Sequence, residues 1–256
     1  SVHVYDMETK QSKQISSDDT TKLELQWSND AKKIYFVQGE KSNVIAEIDV
    51  DTGKITKIVD DKVDNKLDLK VSKDGNTFVY SVVKGGKVVI DDNQEVSDVD
   101  STGTEPQLFM FNRTVKDAKS VQLTNDKDNK LFTQIMPDGR VMFVSVDMED
   151  FSKLPVIKVV SADGKTTSAL LSNTDVYQIA STADGRLLAL VLEGDGSSVY
   201  EINTTNGQKQ RLVASKEFIL SMTVSGNGSN MAVTFATDEG EKVAVVSNGK
   251  FIDLTK

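Results

Sequence analysis

The sequence predicts an all-β fold, a β-propeller of four-stranded antiparallel blades, on three observations. A turn of the type Ser-x-Asp-Gly recurs along the chain, an alternating strand precedes it and a more uniformly apolar strand follows it, and a second strand pair around a polar turn keeps step with both. The turns are Trp27-Ser28-Asn29-Asp30, Val71-Ser72-Lys73-Asp74-Gly75, Met136-Pro137-Asp138-Gly139, Thr182-Ala183-Asp184-Gly185 and the degenerate Ser225-Gly226-Asn227-Gly228. Counted from Asp30, the fourth-position residue returns after 44, 64, 46 and 43 residues. That spacing suits one blade per repeat, with an insertion in the long interval.

The first strand of each repeat is read from its period of two. Leu23, Leu25 and Trp27 face one way and Lys22, Glu24 and Gln26 the other; Leu67, Leu69 and Val71 repeat this against Lys66, Asp68 and Lys70. The alternation places Trp27, the single tryptophan, on the buried face. After each turn comes a run such as Ile34-Tyr35-Phe36-Val37, Thr77-Phe78-Val79-Tyr80, Val141-Met142-Phe143-Val144 or Leu187-Leu188-Ala189-Leu190-Val191. Such runs suit central strands covered on both faces, and the Asp-Gly pairs supply the turn between the two strands.

The outer strand pairs follow, as in Ile48-Asp49-Val50-Asp51-Thr52-Gly53-Lys54 running to Ile58. Six outer hairpins stand against five inner ones, because Ser1–Ser16 has no inner pair ahead of it. The expectation is a single domain: a six-bladed ring with an incomplete first blade, a five-bladed ring being the alternative. Its half-blade is 1–21 and its blades are about 22–64, 65–128, 129–175, 176–217 and 218–256. No stretch of ten or more residues carries a capped 3.6-residue period.

Composition sets further bounds. Repeat folds escape the usual size limit of a single core, so 256 residues are compatible with one domain. The absence of cysteine removes disulfides, metal-thiolate sites and thiol nucleophiles together. A net charge of −9, with 30 basic residues interspersed among 39 acidic ones, argues against nucleic acid and is compatible with a basic protein partner or a cation. No run approaches the roughly 20 apolar residues of a membrane span. Residues 1–20 lack the apolar segment of a signal peptide, and a start at Ser1 without Met is what a processed or trimmed chain would show.

The extra length of the long interval falls on Gly85–Glu105, read as an acidic loop. Its candidate binding residues are Asp91, Asp92, Asp98, Asp100 and Glu105, which would serve a cation or a basic partner on the rim; the alternative is a solvated excursion. Asp98-Val99-Asp100-Ser101-Thr102-Gly103 starts like a calcium loop, but its twelfth position is Phe109 where a bidentate Glu is needed. One histidine, His3, leaves no zinc or iron site, and no metal or other cofactor is expected. A Ser-His-Asp triad would have to use His3. Gly194-Asp195-Gly196-Ser197-Ser198 misses the spacing of a nucleophile elbow. Catalysis is therefore not expected.

The unit from Trp27-Ser28-Asn29-Asp30-Ala31-Lys32-Lys33-Ile34-Tyr35-Phe36-Val37 through Ile48-Asp49-Val50-Asp51-Thr52-Gly53-Lys54-Ile55-Thr56-Lys57-Ile58 resembles a blade of the bacterial TolB-type β-propellers. The resemblance covers nearly the whole chain, with the 22–64 unit matching best; the additional amino-terminal domain of TolB has no counterpart here. It implies an interaction platform, hence a protein partner, in an extracytoplasmic setting: periplasm, cell surface or secreted. Two further readings stay open. One is small-molecule or glycan binding in a central funnel, through carboxylates that could also make it an enzyme; the other is a structural module of a larger surface protein.

Overall fold

A computed structural model spans Ser1–Lys256. It describes all residues except 86, 91–95, 101–102, 226–227, 239, 248 and 256, together with all but the side chains of 87–90 and 96–100. The chain divides into two compact units, Ser1–Lys127 and Asp128–Lys256.

In the first unit, β1 (His3–Asp6) and β2 (Gln11–Gln14) form a two-stranded antiparallel sheet. Next come β3 (Lys22–Trp27), β4 (Lys33–Gln38), β5 (Val44–Asp49) and β6 (Ile55–Val59), paired in chain order. The following sheet takes β7 (Lys66–Val71) and β8 (Thr77–Val82). A separate hairpin of β9 (Lys87–Ile90) and β10 (Val96–Asp100) intervenes before β11 (Gln107–Asn112) and β12 (Val121–Gln122) complete the four. In the second unit, β13 (Asn129–Ile135), β14 (Val141–Val146), β15 (Val156–Val160) and β16 (Thr167–Leu171) make one sheet. A second holds β17 (Val176–Ser181), β18 (Leu187–Glu193), β19 (Gly196–Ile202) and β20 (Lys209–Ser215). A third holds β21 (Ile219–Val224), β22 (Met231–Thr237), β23 (Gly240–Ser247) and β24 (Lys250–Asp253). No helix occurs among the described residues, and none is long and apolar enough to cross a membrane. The fold class is all-β, of the propeller type; five four-stranded sheets and the two-stranded β1–β2 sheet fit a count of six with an incomplete first blade.

The recurring turns stand where the spacing places them, between the two inner strands of each four-stranded sheet. In each, a backbone N–H bonds the carbonyl three residues back: Ala31 to Ser28, Gly75 to Ser72, Gly139 to Met136, Gly185 to Thr182 and Gly228 to Ser225. The hydroxyls of Ser28, Ser72 and Thr182 donate to Asp30 (2.7 Å), Asp74 (2.5 Å) and Asp184, which locks the turn from inside. The first turn puts Ala31 where the others have glycine, at φ 55°. The central strands are buried because sheets stack within each unit. Tyr35, Val37, Ile45 and Val59 pack on Leu69, Phe78, Tyr80 and Val82 in the first unit, and Leu188, Leu190 and Val199 pack on Met222, Val233 and Phe235 in the second.

The innermost strands depart from simple alternation. A one-residue bulge interrupts each of them, between Leu23 and Gln26, Leu67 and Lys70, Leu131 and Gln134, Val176 and Gln178, and Ile219 and Ser221. Glu24, Asp68 and Phe132 take left-handed φ values of 57°, 51° and 54° to make it. An extra residue converts the two-residue step between inward side chains into three. The buried pairs are accordingly Lys66 and Leu69, Lys130 and Thr133, Val176 and Ile179, and Ile219 and Met222.

Two expectations are overturned. Lys22 and Lys66, assigned to the polar face, bury their side chains to 2 % and 0 % exposure. Lys66 Nζ donates to Asn43 O (2.8 Å), Asp61 Oδ1 (2.7 Å) and the Val63 carbonyl. Lys22 Nζ donates to Asp18 Oδ1 (2.5 Å) and Thr20 O (3.1 Å), and Lys130 at the same repeat position reaches Asp128 O (2.6 Å). Trp27, assigned to the core, is 53 % exposed, with Leu23 at 45 % and Leu25 at 49 %. The bulge turns Lys22 inward and Leu23 outward; Leu25 and Trp27 keep the inward face but stay uncovered, because the β1–β2 sheet packs through Val2 and Ile15 on Ile34, Phe36, Val44, Ala46 and Ile48 of β4 and β5 rather than on β3.

Candidate interaction surface

Leu25 and Trp27, both exposed, share one face of β3, the face that Leu69 and Val71 hold in the next sheet, while Leu23, like Leu67, lies on the other. The position of Leu25 relative to Asp30 is that of Leu69 relative to Asp74, yet Leu69 is fully buried. Where sheets stack inside a unit, a glutamine of one innermost strand bonds the backbone of the next. Gln26 Nε2 donates to the Leu69 carbonyl. Gln134 Oε1 accepts from Ser181 N (3.0 Å), and Gln178 accepts from Met222 N (2.8 Å) while donating to Met222 O (2.9 Å). These amides satisfy backbone groups of the innermost strand, Leu69 within its bulge and Ser181 and Met222 beyond theirs. Among the described residues nothing meets β3 in this way. Leu25 and Trp27 are therefore left uncovered among the described residues, where their counterparts Leu69 and Val71 are packed.

A second feature lies in the same unit, where the β3–β4 and β7–β8 turns approach. Ser28, Asn29, Asp30, Lys33, Tyr35, Lys73, Asp74, Gly75 and Arg113 line a cleft of about 290 Å3. Under it Glu47, 7 % exposed, accepts from Lys33 Nζ (2.5 Å) and Arg113 Nη1 (2.8 Å). Burial pushes the Glu47 carboxyl up, but the hydrogen bonds and charges of Lys33 and Arg113 outweigh it and hold the group below its ordinary value. Burial raises the Tyr35 hydroxyl against the opposing charge of Arg113. A side chain at Gly75 would place its Cβ 2.4 Å from Tyr35 Oη, at a backbone φ of 70° that already favours glycine. The second unit fills the corresponding seams with arginine. Arg140 joins Asp138 Oδ2 (2.7 Å) to Thr204 O (2.7 Å), and Arg186 joins Asp184 Oδ2 (3.2 Å) to Gly228 O (2.9 Å).

The sequence-derived candidates fall elsewhere. Asp91 and Asp92 lie outside the described residues, as do the side chains of Asp98 and Asp100. The backbones of Asp98 and Asp100 pair with Val89 and Lys87, so the segment assigned to a loop contains a β-hairpin. Glu105 is half-buried and its carbonyl accepts from Gln107 Nε2 (3.4 Å). No group of three or more His, Cys, Asp or Glu that could hold a metal ion occurs among the described residues. What pattern reading missed was the buried lysine, the seam glutamine and the Glu47 cluster. Lys22, Lys66 and Lys130 share one phase of the repeat, and comparing repeats by phase rather than by polarity was the signal that could have found them.

No protein-family model and no curated protein matches the chain. Solved structures do. An oligogalacturonate lyase in complex with manganese aligns over 99 % of this chain and 70 % of its own, at 12 % identity and a TM-score of 0.77. The oligogalacturonate lyase of Vibrio parahaemolyticus aligns over the same shares at 13 % identity and 0.74. TolB from Acinetobacter baumannii aligns over 97 % of this chain at 19 % identity and 0.62, and this chain spans 57 % of its length. At these identities the likeness is one of fold, that of a β-propeller, and of fold alone.

Proposed function

We propose that the chain is a non-catalytic protein-binding platform acting outside the cytoplasm, and that the exposed pair of Leu25 and Trp27 is where a protein partner docks. The exposure of those two side chains carries the reading. A partner that covers them gains the burial that Leu69 already has, at roughly 25 cal/mol per Å2 of apolar surface removed from water. The likeness of fold to TolB supports a binding role, and the interspersed charge disfavours nucleic acid. The described carboxylates with basic neighbours are neutralised rather than poised: Asp61 is tied to Lys66, Glu47 to Lys33 and Arg113, and Asp128 to Lys158. A photo-crosslinking residue at position 25, compared with one at Lys165, tests the reading in extract of the source cells. A discrete polypeptide captured from position 25 alone is expected; identical adducts from both positions, or none, would count against it.

A second reading, binding of a small polar ligand, is favoured by one observation. The cleft between the β3–β4 and β7–β8 turns is lined by both donors and acceptors, among them Lys73, Asn29 and Asp30, together with Tyr35. A ligand there would raise the melting temperature of the chain and lose that effect in Lys73→Ala.

A further inference from the structure

We propose that the cleft between the β3–β4 and β7–β8 turns takes a small zwitterion, a free amino acid, with its carboxylate on Tyr35, Arg113 and Lys73 and its ammonium on Asp30. This rests on the second reading above and names its ligand. The cleft lies within the first unit, where Tyr35 and Val37 of β4 pack on Leu69 of β7 and Phe78 of β8.

The first observation is a buried donor without an acceptor. Tyr35 is 3 % exposed, with its ring edge-on to Phe78 at 5.5 Å. A Cβ at Gly75 would lie 2.4 Å from Tyr35 Oη and 3.3 Å from Arg113 Nη2, so the phenol and the guanidinium converge on one point of the cleft wall. Arg113 can only donate to that phenol, and among the described residues no group accepts the hydroxyl proton. Burial holds the hydroxyl above its ordinary value, so at neutral pH it keeps the proton it offers. Counted two residues from the carbonyl that closes each turn, the same place is held by Val79, Met142, Leu188 and Ala232 in the other sheets. A hydroxyl stands there in β4 alone.

The second observation is the pattern of charge. Lys33 and Arg113 share the single carboxylate of Glu47, which leaves one positive charge under the cleft. Lys73 makes no ion pair or hydrogen bond among the described residues. The two turn aspartates differ. Asp74 uses both oxygens inside its own turn, Oδ1 accepting from Ser72 Oγ (2.5 Å) and Asn76 N (3.1 Å), and Oδ2 from Asn76 Nδ2 (2.9 Å). Asp30 uses only Oδ1, which accepts from Ser28 Oγ (2.7 Å) and Lys32 N (3.2 Å); among the described residues Oδ2 accepts from nothing. Lys33, Lys73 and Arg113 balance Asp30, Asp74 and Glu47, so a ligand with both charges keeps the site neutral where a simple anion or cation does not. Charge-assisted hydrogen bonds at both ends are about twice as strong as neutral ones. The volume of about 290 Å3 lies at the small end of ligand pockets, as one amino acid requires.

Thermal unfolding and calorimetric titration of the intact chain test this, with each free proteinogenic amino acid as probe and with acetate, methylammonium and glucose as controls carrying one feature each. One or a few amino acids are expected to bind and raise the melting temperature, and the three controls at equal concentration are not. The Kd should rise at least about tenfold in Lys73→Ala, in Tyr35→Phe and in Asp30→Asn. Without ligand, Tyr35→Phe should be as stable as the native chain, because its hydroxyl has no acceptor to lose. A response to acetate, methylammonium or glucose that Lys73→Ala abolishes would overturn the zwitterion and leave the cleft standing as a polar-ligand site. No response to any probe, or binding that none of the substitutions weakens, would overturn both. Marked destabilisation of unliganded Tyr35→Phe would show the hydroxyl bonded within the protein and overturn its assignment to the ligand.

Discussion

Leu25 and Leu69 hold the same position in consecutive repeats, follow the same bulge and end in opposite environments, one 49 % exposed and the other fully buried. Nothing in their own strands explains the difference. Leu69 is buried because the sheet of β3 to β6 stacks on it and Gln26 crosses to its carbonyl; Leu25 is exposed because β1 and β2 reach only β4 and β5. In a repeat protein the burial of an inner strand is set by its neighbour, consistent with stability that sums over units and the interfaces between them.

The largest effect expected separates these two leucines. Leu69→Ala deletes a fully buried side chain and should cost about 3–4 kcal/mol, whereas Leu25→Ala should stay within about 0.5 kcal/mol. Equal losses in chemical denaturation would show that both positions are covered in solution. Next is Lys66→Ala, which strips a donor from Asp61 and from the Asn43 and Val63 carbonyls. About 3 kcal/mol is expected, at the low end for a broken buried pair because Asp61 keeps contact with water. Lys66→Met retains the buried stem but not the charge. If it proved as stable as the native chain, the ammonium would contribute nothing.

The pattern of what sequence reading captured follows the same division. The turns at Asp74, Asp138 and Asp184 were legible because their chemistry is local: a carboxylate and a left-handed glycine in adjacent positions, with a hydroxyl two residues ahead of Asp74 and Asp184. The central strands were legible because burial on both faces leaves an unbroken apolar run. The bulges were not, since Glu24, Asp68 and Phe132 are residue types with no special claim to left-handed φ, and missing them misplaced Lys22 and Leu23. The exposure of Trp27 was hidden for a second reason: alternation identifies a face and says nothing about what stands opposite it. Lys66 was misassigned because a lysine is ordinarily solvated, and only the carbonyl and carboxylate cage around Nζ makes its burial tolerable. Glu47 and Arg113 stand 66 residues apart, a contact made by packing of sheets rather than by any local pattern.

The seam cluster gives a pH-dependent prediction. The Glu47 carboxyl is held below its ordinary value of 4.5 in the folded chain, so its contribution is fully present above that pH and is lost as pH falls through the lower, folded value. The melting temperature of the native chain should therefore drop, as the pH falls below the ordinary carboxylate range, by more than that of Glu47→Gln. Parallel curves would show that the cluster of Lys33, Glu47 and Arg113 adds no stability. The smallest effect concerns Ala31, which adopts φ 55° where other repeats have glycine. Ala31→Gly should stabilise by about 0.5 kcal/mol, relief of left-handed strain being partly offset by the greater freedom of glycine in the unfolded chain. Destabilisation would mean that the first turn is not equivalent to the others.

The open face of β3 is tested most directly by Trp27, which reports without labels because it is the single tryptophan. Its fluorescence in the monomeric chain at low concentration is predicted to emit near the wavelength of solvated indole and to be quenched readily by iodide, as its 53 % exposure requires. Blue-shifted emission resistant to iodide in that same monomer would contradict the account, because the innermost strand of the first four-stranded sheet would then already be covered.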